Sequence, residues 1–277
     1  MKYIAEVFYR FVPRGQQSTQ FFSPSNPATF AKLSACVDGD ERKRMEDLPY
    51  SQLVGSLLYA SCMSRPDIAY ETGVLARFMQ DPSFECWIAA LRVAIYLHCT
   101  RDKQLVYKKD SWLPDSIRPY HENIRENHGL HAYCDSSWGT PNPVNGYVVF
   151  MSGAPISFQS KSSKVIAMSS AEAEYSAAWR AAQELAFIRN LLGDLGCTIH
   201  GRITLFCDNK SAISNALDIG ITARNKHYER FLHYVREQVF YGKIKLYHLP
   251  TADMLGDRLT KSFGPSAHAK WMETLYS

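Results

Sequence analysis

No stretch of apolar residues in this 277-residue sequence is long enough to cross a bilayer, which takes about 20 residues. Cys-x-x-Cys pairs are also absent, and the seven cysteines are scattered and odd in number, which argues against a zinc ribbon and against a disulfide scaffold. The N-terminal segment mixes charges with its apolar residues and so differs from a secretion signal. These absences predict an intracellular, cytoplasmic protein that does not enter a membrane.

The composition is that of a globular protein. Hydrophobic residues make up 46% of the chain and charged residues 21%, which excludes disordered and fibrous classes. The net charge of +4 is compatible with a polyanionic partner, but many enzymes of small molecules carry a similar charge. Charge alone therefore leaves the partner open.

Two kinds of pattern divide the sequence. Residues 1–107 show helical spacing of apolar residues, above all between Pro49 and Leu97. Residues 108–129 are polar, contain prolines and show no period, as expected of a linker. From 130 to 277, short β-rich runs alternate with helical patterns. We therefore predict a mostly helical region, a polar linker and a second domain with these boundaries.

The second domain begins with three short runs separated by turn residues, HAYCDSSW, GYVVFMSG and APISFQSK. Such runs are typical of an antiparallel meander. A long helix from Ser169, the strand ITLFCDN, two further helices, the strand KIKLYHL and a last helix from Asp253 follow. This order predicts an α/β domain in which helices flank a mixed five-stranded sheet.

Two predicted strands each carry an acid just after apolar residues. In HAYCDSSW, strand alternation sets Asp135 on the same face as Tyr133. In ITLFCDN, the same alternation sets Asp208 with Phe206 and opposite Cys207. Ligands usually bind at strand ends in α/β sheets, so Asp135 and Asp208 are candidates for one site.

The long helix carries two glutamates near its start, and helical geometry separates them. Glu174 lies on the apolar stripe that should pack against the sheet, where a carboxylate needs a specific reason. Glu172 lies on the far side, three residues after Ser169 in a capping box, which accounts for it without any catalytic role. We therefore predict Glu174 as the functional acid of this helix.

A fourth acid, Asp257, lies inside the predicted last helix, where a solvated side chain near Arg258 and Lys261 would be the ordinary interpretation. Taken with the other three acids, it completes a set of oxygen ligands. Carboxylates without neighbouring cysteine or histidine ligands favour Mg²⁺ or Mn²⁺ over zinc. Two such ions can activate a water and stabilise a leaving oxygen, which predicts phosphodiester hydrolysis.

Long segments of the sequence resemble a known family. These are PYSQLVGSLLYASCMSRPDIAYETGVLARFM, YCDSSWG, GAPISFQSKSSKVIAMSSAEAEY, LFCDNKSAI, RNKHYERFLHYVRE and LPTADMLGDRLTK. In them the chain resembles the C-terminal part of the Pol polyprotein of copia-type LTR retrotransposons, meaning the end of the reverse transcriptase and its ribonuclease H domain. The resemblance implies an RNase H-like fold for 130–277 and a thumb-like or connection-like region for 1–107.

The resemblance also implies an activity. The family's metal-binding acids fall on Asp135, Glu174, Asp208 and Asp257, in agreement with the choice of Glu174 over Glu172. These residues would hydrolyse the RNA strand of RNA/DNA hybrids with two Mg²⁺ or Mn²⁺ ions. The rest of the reverse transcriptase polyprotein is the implied partner, and a virus-like particle is the implied location if the element is active.

Three departures from the family pattern matter. Ser137 replaces the second acid of the family's D-A-D-W strand, at a position not expected to bind metal. Gly256 replaces a common alanine, and a helical glycine costs about 0.5 to 1 kcal/mol and is expected to loosen Asp257. No adjacent Asp-Asp pair occurs in the sequence, so the polymerase palm motif is missing and no DNA synthesis is expected.

Residues that bind the hybrid should be basic, amide or hydroxyl side chains near the acids. The candidates are Lys161, Asn209, Lys210, Lys226 and His227, with His248 as a possible accessory group for proton transfer or product release. Two alternatives remain at this point. One is an inactive or repurposed fragment that only binds nucleic acid, and the other is a different nuclease of the same superfold, such as an integrase core or resolvase.

Overall fold

The structure, a computed structural model, describes residues 2–108, 113–138, 143–163, 167, 169–217 and 229–276. The chain divides into two compact units, one comprising Met1–Leu105 with Lys261–Ser277 and the other Val106–Thr260. Across the described ranges, no helix is both long and apolar enough to span a membrane.

The first unit is helical, as the spacing of its apolar residues predicts. Its α-helices are α1 (Lys2–Phe11), α2 (Pro27–Phe30), α3 (Gly39–Glu46), α4 (Tyr50–Ser64), α5 (Ala69–Ala76), α6 (Phe84–Cys99) and, near the C-terminus, α11 (Pro265–Leu275). Helix α6 is the central one, because Trp87, Leu91 and Ile95 recur at helical spacing and are all buried.

A buried polar cluster ties the C-terminal helix to this unit. Arg65 donates to both carboxylate oxygens of Asp67, at 2.9 and 2.7 Å. The hydroxyls of Tyr96 and Tyr276 each donate to Asp67 at 2.6 Å. Tyr96 also lies 2.8 Å from Nε2 of His268, on α11. Residues 261–277, which the sequence analysis groups with the second domain, therefore belong to the first compact unit.

The segment predicted as a linker is part of the second unit. It contains a 3₁₀ helix, Asp115–Tyr120, and α7, His121–Glu126. The Tyr120 ring packs against Phe206 and Tyr247 on one face of the sheet. Its polar composition hides this role, because only a few of its side chains, among them Leu113, Ile117 and Ile124, are buried apolar ones.

The second unit contains the sheet. Its elements are β1 (His131–Ser136), β2 (Val144–Met151), β3 (Ala154–Ser162), α8 (Ser170–Asp194), β4 (Ile203–Cys207), α9 (Lys210–Leu217), α10 (Glu229–Phe240) and β5 (Ile244–His248). The strand order is β3-β2-β1-β4-β5. β1, β2 and β3 pair antiparallel, whereas β4 pairs parallel with both β1 and β5. The predicted mixed five-stranded sheet with flanking helices is confirmed.

Helix α8 covers one face of this sheet. Its small and apolar side chains Ala178, Ala181 and Leu185 are fully buried, in one core with Cys134 of β1 and Cys207 of β4. The alanines allow the helix to approach the strands closely. The predicted apolar stripe of this helix is therefore its core-facing side, and Glu174 lies at its N-terminal end.

Candidate metal centre

Two of the predicted acids lie side by side at the ends of parallel strands. β1 and β4 pair with His131 opposite Thr204 and Tyr133 opposite Phe206. Continuing this register by two residues sets Asp135 beside Asp208, which directly follows β4. Asp135 is buried, and Asp208 is half-buried at the sheet edge.

Helix α8 brings the third acid to the same edge. Its N-cap is Ser169, whose hydroxyl accepts a hydrogen bond from the backbone N–H of Glu172 at 3.2 Å. This fixes the first turn, so that Oε1 of Glu174 accepts a hydrogen bond from the backbone N–H of Ser136 at 3.3 Å. Glu174 is only 7% exposed. Glu172 is buried as well, at 5% exposed, so burial does not distinguish the two glutamates, and the choice of Glu174 stays a prediction.

The fourth acid comes from a 3₁₀ helix, Leu255–Leu259, where the sequence predicted an α-helix from Asp253. This turn packs directly on the sheet. A Cβ built on Gly256 would lie 3.1 Å from the Asp135 Cβ, and one built on Gly146 of β2 would lie 2.8 Å from the Leu259 Cβ. Asp257 itself is buried. Glycine at 256 permits this close approach of two backbones, and the loosening of Asp257 stays a prediction.

The four carboxylates converge. Carboxylate oxygens of Asp135, Asp208 and Asp257 lie within 4.8 Å of one another. A second group, with the same spacing, joins Glu174, Cys207 and Asp208. Asp208 belongs to both groups, so it links all four predicted acids in one site.

Threonine hydroxyls hold two of these carboxylates. Thr260 Oγ1 donates to Oδ2 of Asp135, and Thr251 Oγ1 donates to Oδ2 of Asp208 at 2.9 Å. Neither threonine was predicted from the sequence as part of the site. A signal for Thr260 was present, because it lies in the LGDRLTK segment three residues after Asp257.

The thiol of Cys207 lies near Glu174, a contact that strand alternation alone does not predict. Strand parity correctly sets Cys207 on the face opposite Asp208, in the core. Helix α8 covers that face, and the Glu174 carboxylate of α8 lies within 4.8 Å of the Cys207 sulfur. The hydrogen bond with Cys207, together with burial, raises the pKa of the neighbouring Cys134 well above the ordinary thiol value.

The site concentrates negative charge. Burial, followed by the charges of Asp135, Cys207 and Asp208, raises the pKa of Glu174 from 4.5 to about 11. Its Oε2 atom is buried and accepts no hydrogen bond from any described residue. A cation held between these carboxylates would reverse this effect, because opposite charge favours the ionised form. Oxygen ligands of this kind fit Mg²⁺ or Mn²⁺.

The predicted substrate-binding residues have mixed placements. Asn209 Oδ1 accepts a hydrogen bond from Ala212 N at 3.0 Å and so caps α9, on which Lys210 is exposed. Lys161 is exposed near the end of β3, opposite Asn145 of β2. Lys226 and His227 lie outside the described residues. His248 is half-buried at the end of β5, opposite Cys207.

A mixed five-stranded sheet, a long helix across one face and carboxylates gathered at the ends of β1 and β4 define an RNase H-like α/β protein. Two Pol polyproteins are similar in sequence to this chain. The Pol polyprotein of transposon RE2 from Arabidopsis thaliana is 34% identical over 216 residues, which cover 76% of this chain and 14% of that protein. The Pol polyprotein of transposon TNT 1-94 from Nicotiana tabacum is 33% identical over 266 residues, 94% of this chain and 18% of that protein. The chain is a homologue of copia-type retrotransposon Pol polyproteins, and the predicted resemblance is confirmed.

The chain thus spans less than a fifth of the length of these relatives. No family model matches it. Among solved structures, LC11-RNase H1 in complex with an RNA/DNA hybrid is 17% identical over 47% of this chain and 93% of that one, with a TM-score of 0.37. RNase H1 from Halobacterium salinarum NRC-1 is 22% identical over the same shares, with a TM-score of 0.36. Similarity at this level establishes neither activity nor substrate.

Proposed function

We propose that the chain hydrolyses the RNA strand of RNA/DNA hybrids, as part of a retrotransposon's reverse transcription machinery. The observation that carries the proposal is the convergence of Asp135, Asp208 and Asp257, with their oxygens within 4.8 Å, beside the buried Glu174. Carboxylates repel one another, and a chain that only binds nucleic acid has no need to gather them. A metal-dependent nuclease does need to gather carboxylates.

The four acids would hold two Mg²⁺ or Mn²⁺ ions, which supply Lewis-acid activation of a water and stabilisation of the leaving oxygen. The remaining residues position the acids. Thr260 and Thr251 orient the carboxylates of Asp135 and Asp208, and the backbone of Ser136 orients Glu174. Such outer contacts fix ligand geometry in metal sites.

The exposed cations beside the acids would hold the duplex. Lys210 and Lys161 can pair with phosphates, which position a hybrid, while hydroxyl and amide groups can read the 2′-hydroxyls that distinguish its RNA strand. Asn209 keeps its side-chain amide nitrogen for such a contact, since its oxygen is used in the cap. Lys226 and His227 stay candidates from the sequence, and an imidazole at His248 could carry a proton.

A cleavage assay tests the proposal. The protein is incubated with an end-labelled RNA/DNA hybrid and Mg²⁺ or Mn²⁺, beside RNA/RNA and DNA/DNA duplexes of the same sequence. We expect the hybrid alone to be cut, in its RNA strand, and Asp208→Asn to lose at least about a hundredfold in rate, as expected when a metal ligand or its orientation is lost.

The matched control is Glu237→Gln, a charge-removing change at an exposed position of α10 and outside both groups of converging ligands. It should keep the wild-type rate. Absence of metal-dependent cleavage, or equal loss in the control and in Asp208→Asn, would contradict the proposal and favour a chain that only binds nucleic acid.

A further inference from the structure

The first unit contains a cavity of about 400 Å³, remote in sequence from the acids. It lies between α6 and the segment 16–30. Its lining includes the apolar side chains of Phe21, Phe30, Ile88, Leu91 and Ile95. This volume is within the range of about 300 to 1,000 Å³ in which small-molecule sites fall. The cavity is therefore large enough for a ligand with a ring.

One cation lies in this apolar lining. Arg92 follows Ile88 by one helical turn and precedes Ile95 by nearly another, so the three side chains share one side of α6. Its guanidinium carbon lies 4.1 Å from the centroid of the Phe21 ring. The stacking places the planar group against the wall of the cavity.

This guanidinium has no anionic partner among the described residues. Its Nε is buried and donates no hydrogen bond there, and no described acid forms an ion pair with it. Burial lowers its pKa, but an arginine remains charged in proteins. By contrast, the buried Arg65 in the same unit is fully paired with Asp67. A partly buried cation without a partner is costly, and a bound anion would remove that cost.

The lining also limits what kind of anion fits. Among the described residues, Arg92 is the only charged side chain in the lining, so a polyphosphate or a nucleic acid backbone would lack further cations. The planar guanidinium matches a carboxylate, which it can bind through two parallel hydrogen bonds. The phenyl rings of Phe21 and Phe30 match an apolar ring.

We propose that this cavity binds a small monocarboxylate with an aromatic ring, its acid group on Arg92 and its ring against Phe21 and Phe30. The polar side chains Gln16 and Thr19 supply hydrogen-bonding groups in the same lining. The site lies entirely within the first unit, and the proposal is independent of hybrid cleavage.

Calorimetric titration of the full 277-residue chain with 4-phenylbutyrate and with its neutral amide, 4-phenylbutanamide, tests this proposal. The two probes share size and ring and differ in charge. We expect the acid to bind about tenfold or more tightly than the amide, the difference expected for a hydrogen bond to a charged group. No binding of the acid at millimolar concentration, or equal binding of both probes, would overturn the proposal.

Three variants locate the site. Arg92→Met keeps an unbranched stem beside Phe21 and should abolish the preference for the acid. Thr29→Trp, at an exposed position of the lining, should weaken both probes by filling the cavity. Arg101→Met should change neither, because the Arg101 guanidinium donates to the backbone carbonyl of His98 and does not line the cavity. A preference for the acid that survives in Arg92→Met would also overturn the proposal.

Discussion

Replacing Glu174 by glutamine should stabilise the protein in the absence of metal. The pKa of Glu174 rises from 4.5 to about 11 in the folded state, chiefly because the carboxyl is buried and then because Asp135, Cys207 and Asp208 are near. The folded state therefore binds a proton that the unfolded chain releases above pH 4.5. Each pH unit above 4.5 therefore lowers the free energy of unfolding by about 1.4 kcal/mol. At about pH 7 the total loss is about 3 kcal/mol.

The direction in which stability changes with pH determines how the prediction is measured. Stability contributed at Glu174 is complete below its ordinary pKa of 4.5 and is lost as the pH rises toward about 11. Wild-type protein and Glu174→Gln should thus be equally stable near about pH 4 and diverge by about 3 kcal/mol at about pH 7 in EDTA. Because the chain has two units, hydrogen exchange of β1 and β4 in a urea series reports the unit that contains the site.

Glu237→Gln, the same substitution at an exposed position of α10 in the same unit, is the matched control and should follow the wild type at every pH. Adding Mg²⁺ should reverse the order, because binding stabilises the wild type by mass action and the glutamine variant less. Parallel stability of wild type and Glu174→Gln across the whole pH range in EDTA would refute the reasoning, since it would mean that the buried carboxyl carries no electrostatic penalty.

Three further predictions concern side chains around the site. Thr260→Val removes the hydroxyl that donates to Asp135, and leaving that buried oxygen without the donor should cost about 1 to 3 kcal/mol in urea unfolding without metal. Gly256→Val adds side-chain atoms where even a Cβ would lie 3.1 Å from that of Asp135, so it should abolish thermal stabilisation by Mg²⁺, with Gly256→Ala less affected. His131 is buried, and burial lowers its pKa to about 4. The stability of the wild type relative to His131→Phe should therefore fall by about 3 kcal/mol as the pH falls from 6.5 to about 4, as a pH series of unfolding curves for both proteins will show.

The sequence predicts the strand and helix contributions to the site for a physical reason. Alternation along β1 and β4 depends only on backbone geometry, so it fixes the faces of Asp135 and Asp208 before any tertiary contact is known. Helical spacing likewise separates Glu174 from Glu172. Local periodicity is sufficient to predict the face of a metal-binding acid wherever that acid lies in a strand or helix or directly after one.

Periodicity fails where the chain returns to the sheet without a regular element. The turn that carries Asp257 is a 3₁₀ helix, and its position depends on close packing of Gly256 against β1 and Gly146 against Leu259. These contacts join residues more than a hundred positions apart in sequence, so no local pattern encodes them. Periodicity does not predict that residues 261–277 belong to the first unit, for the same reason. The contact that ties them there, the hydrogen bond from Tyr276 to Asp67, joins residues 209 positions apart.

Two buried carboxylates of this chain show how an architectural acid differs from one that needs a ligand. Burial alone would raise the pKa of Asp67, but Arg65 and the hydroxyls of Tyr276 and Tyr96 outweigh it, and the pKa is lowered. Glu174 is buried almost as completely, yet its neighbours are acids and a thiol, and its pKa is raised.

The fold could have satisfied Glu174 as it satisfies Asp67, with a single arginine, because α8 and β1 offer many positions for one. It instead directs a second acid, Asp208, toward the same point and leaves Oε2 without a donor among the described residues. An uncompensated buried acid destabilises the folded protein, so its retention needs a compensating group. A divalent cation provides that compensation for all four carboxylates together, which is why the electrostatic penalty at Glu174 supports the proposed metal-dependent nuclease.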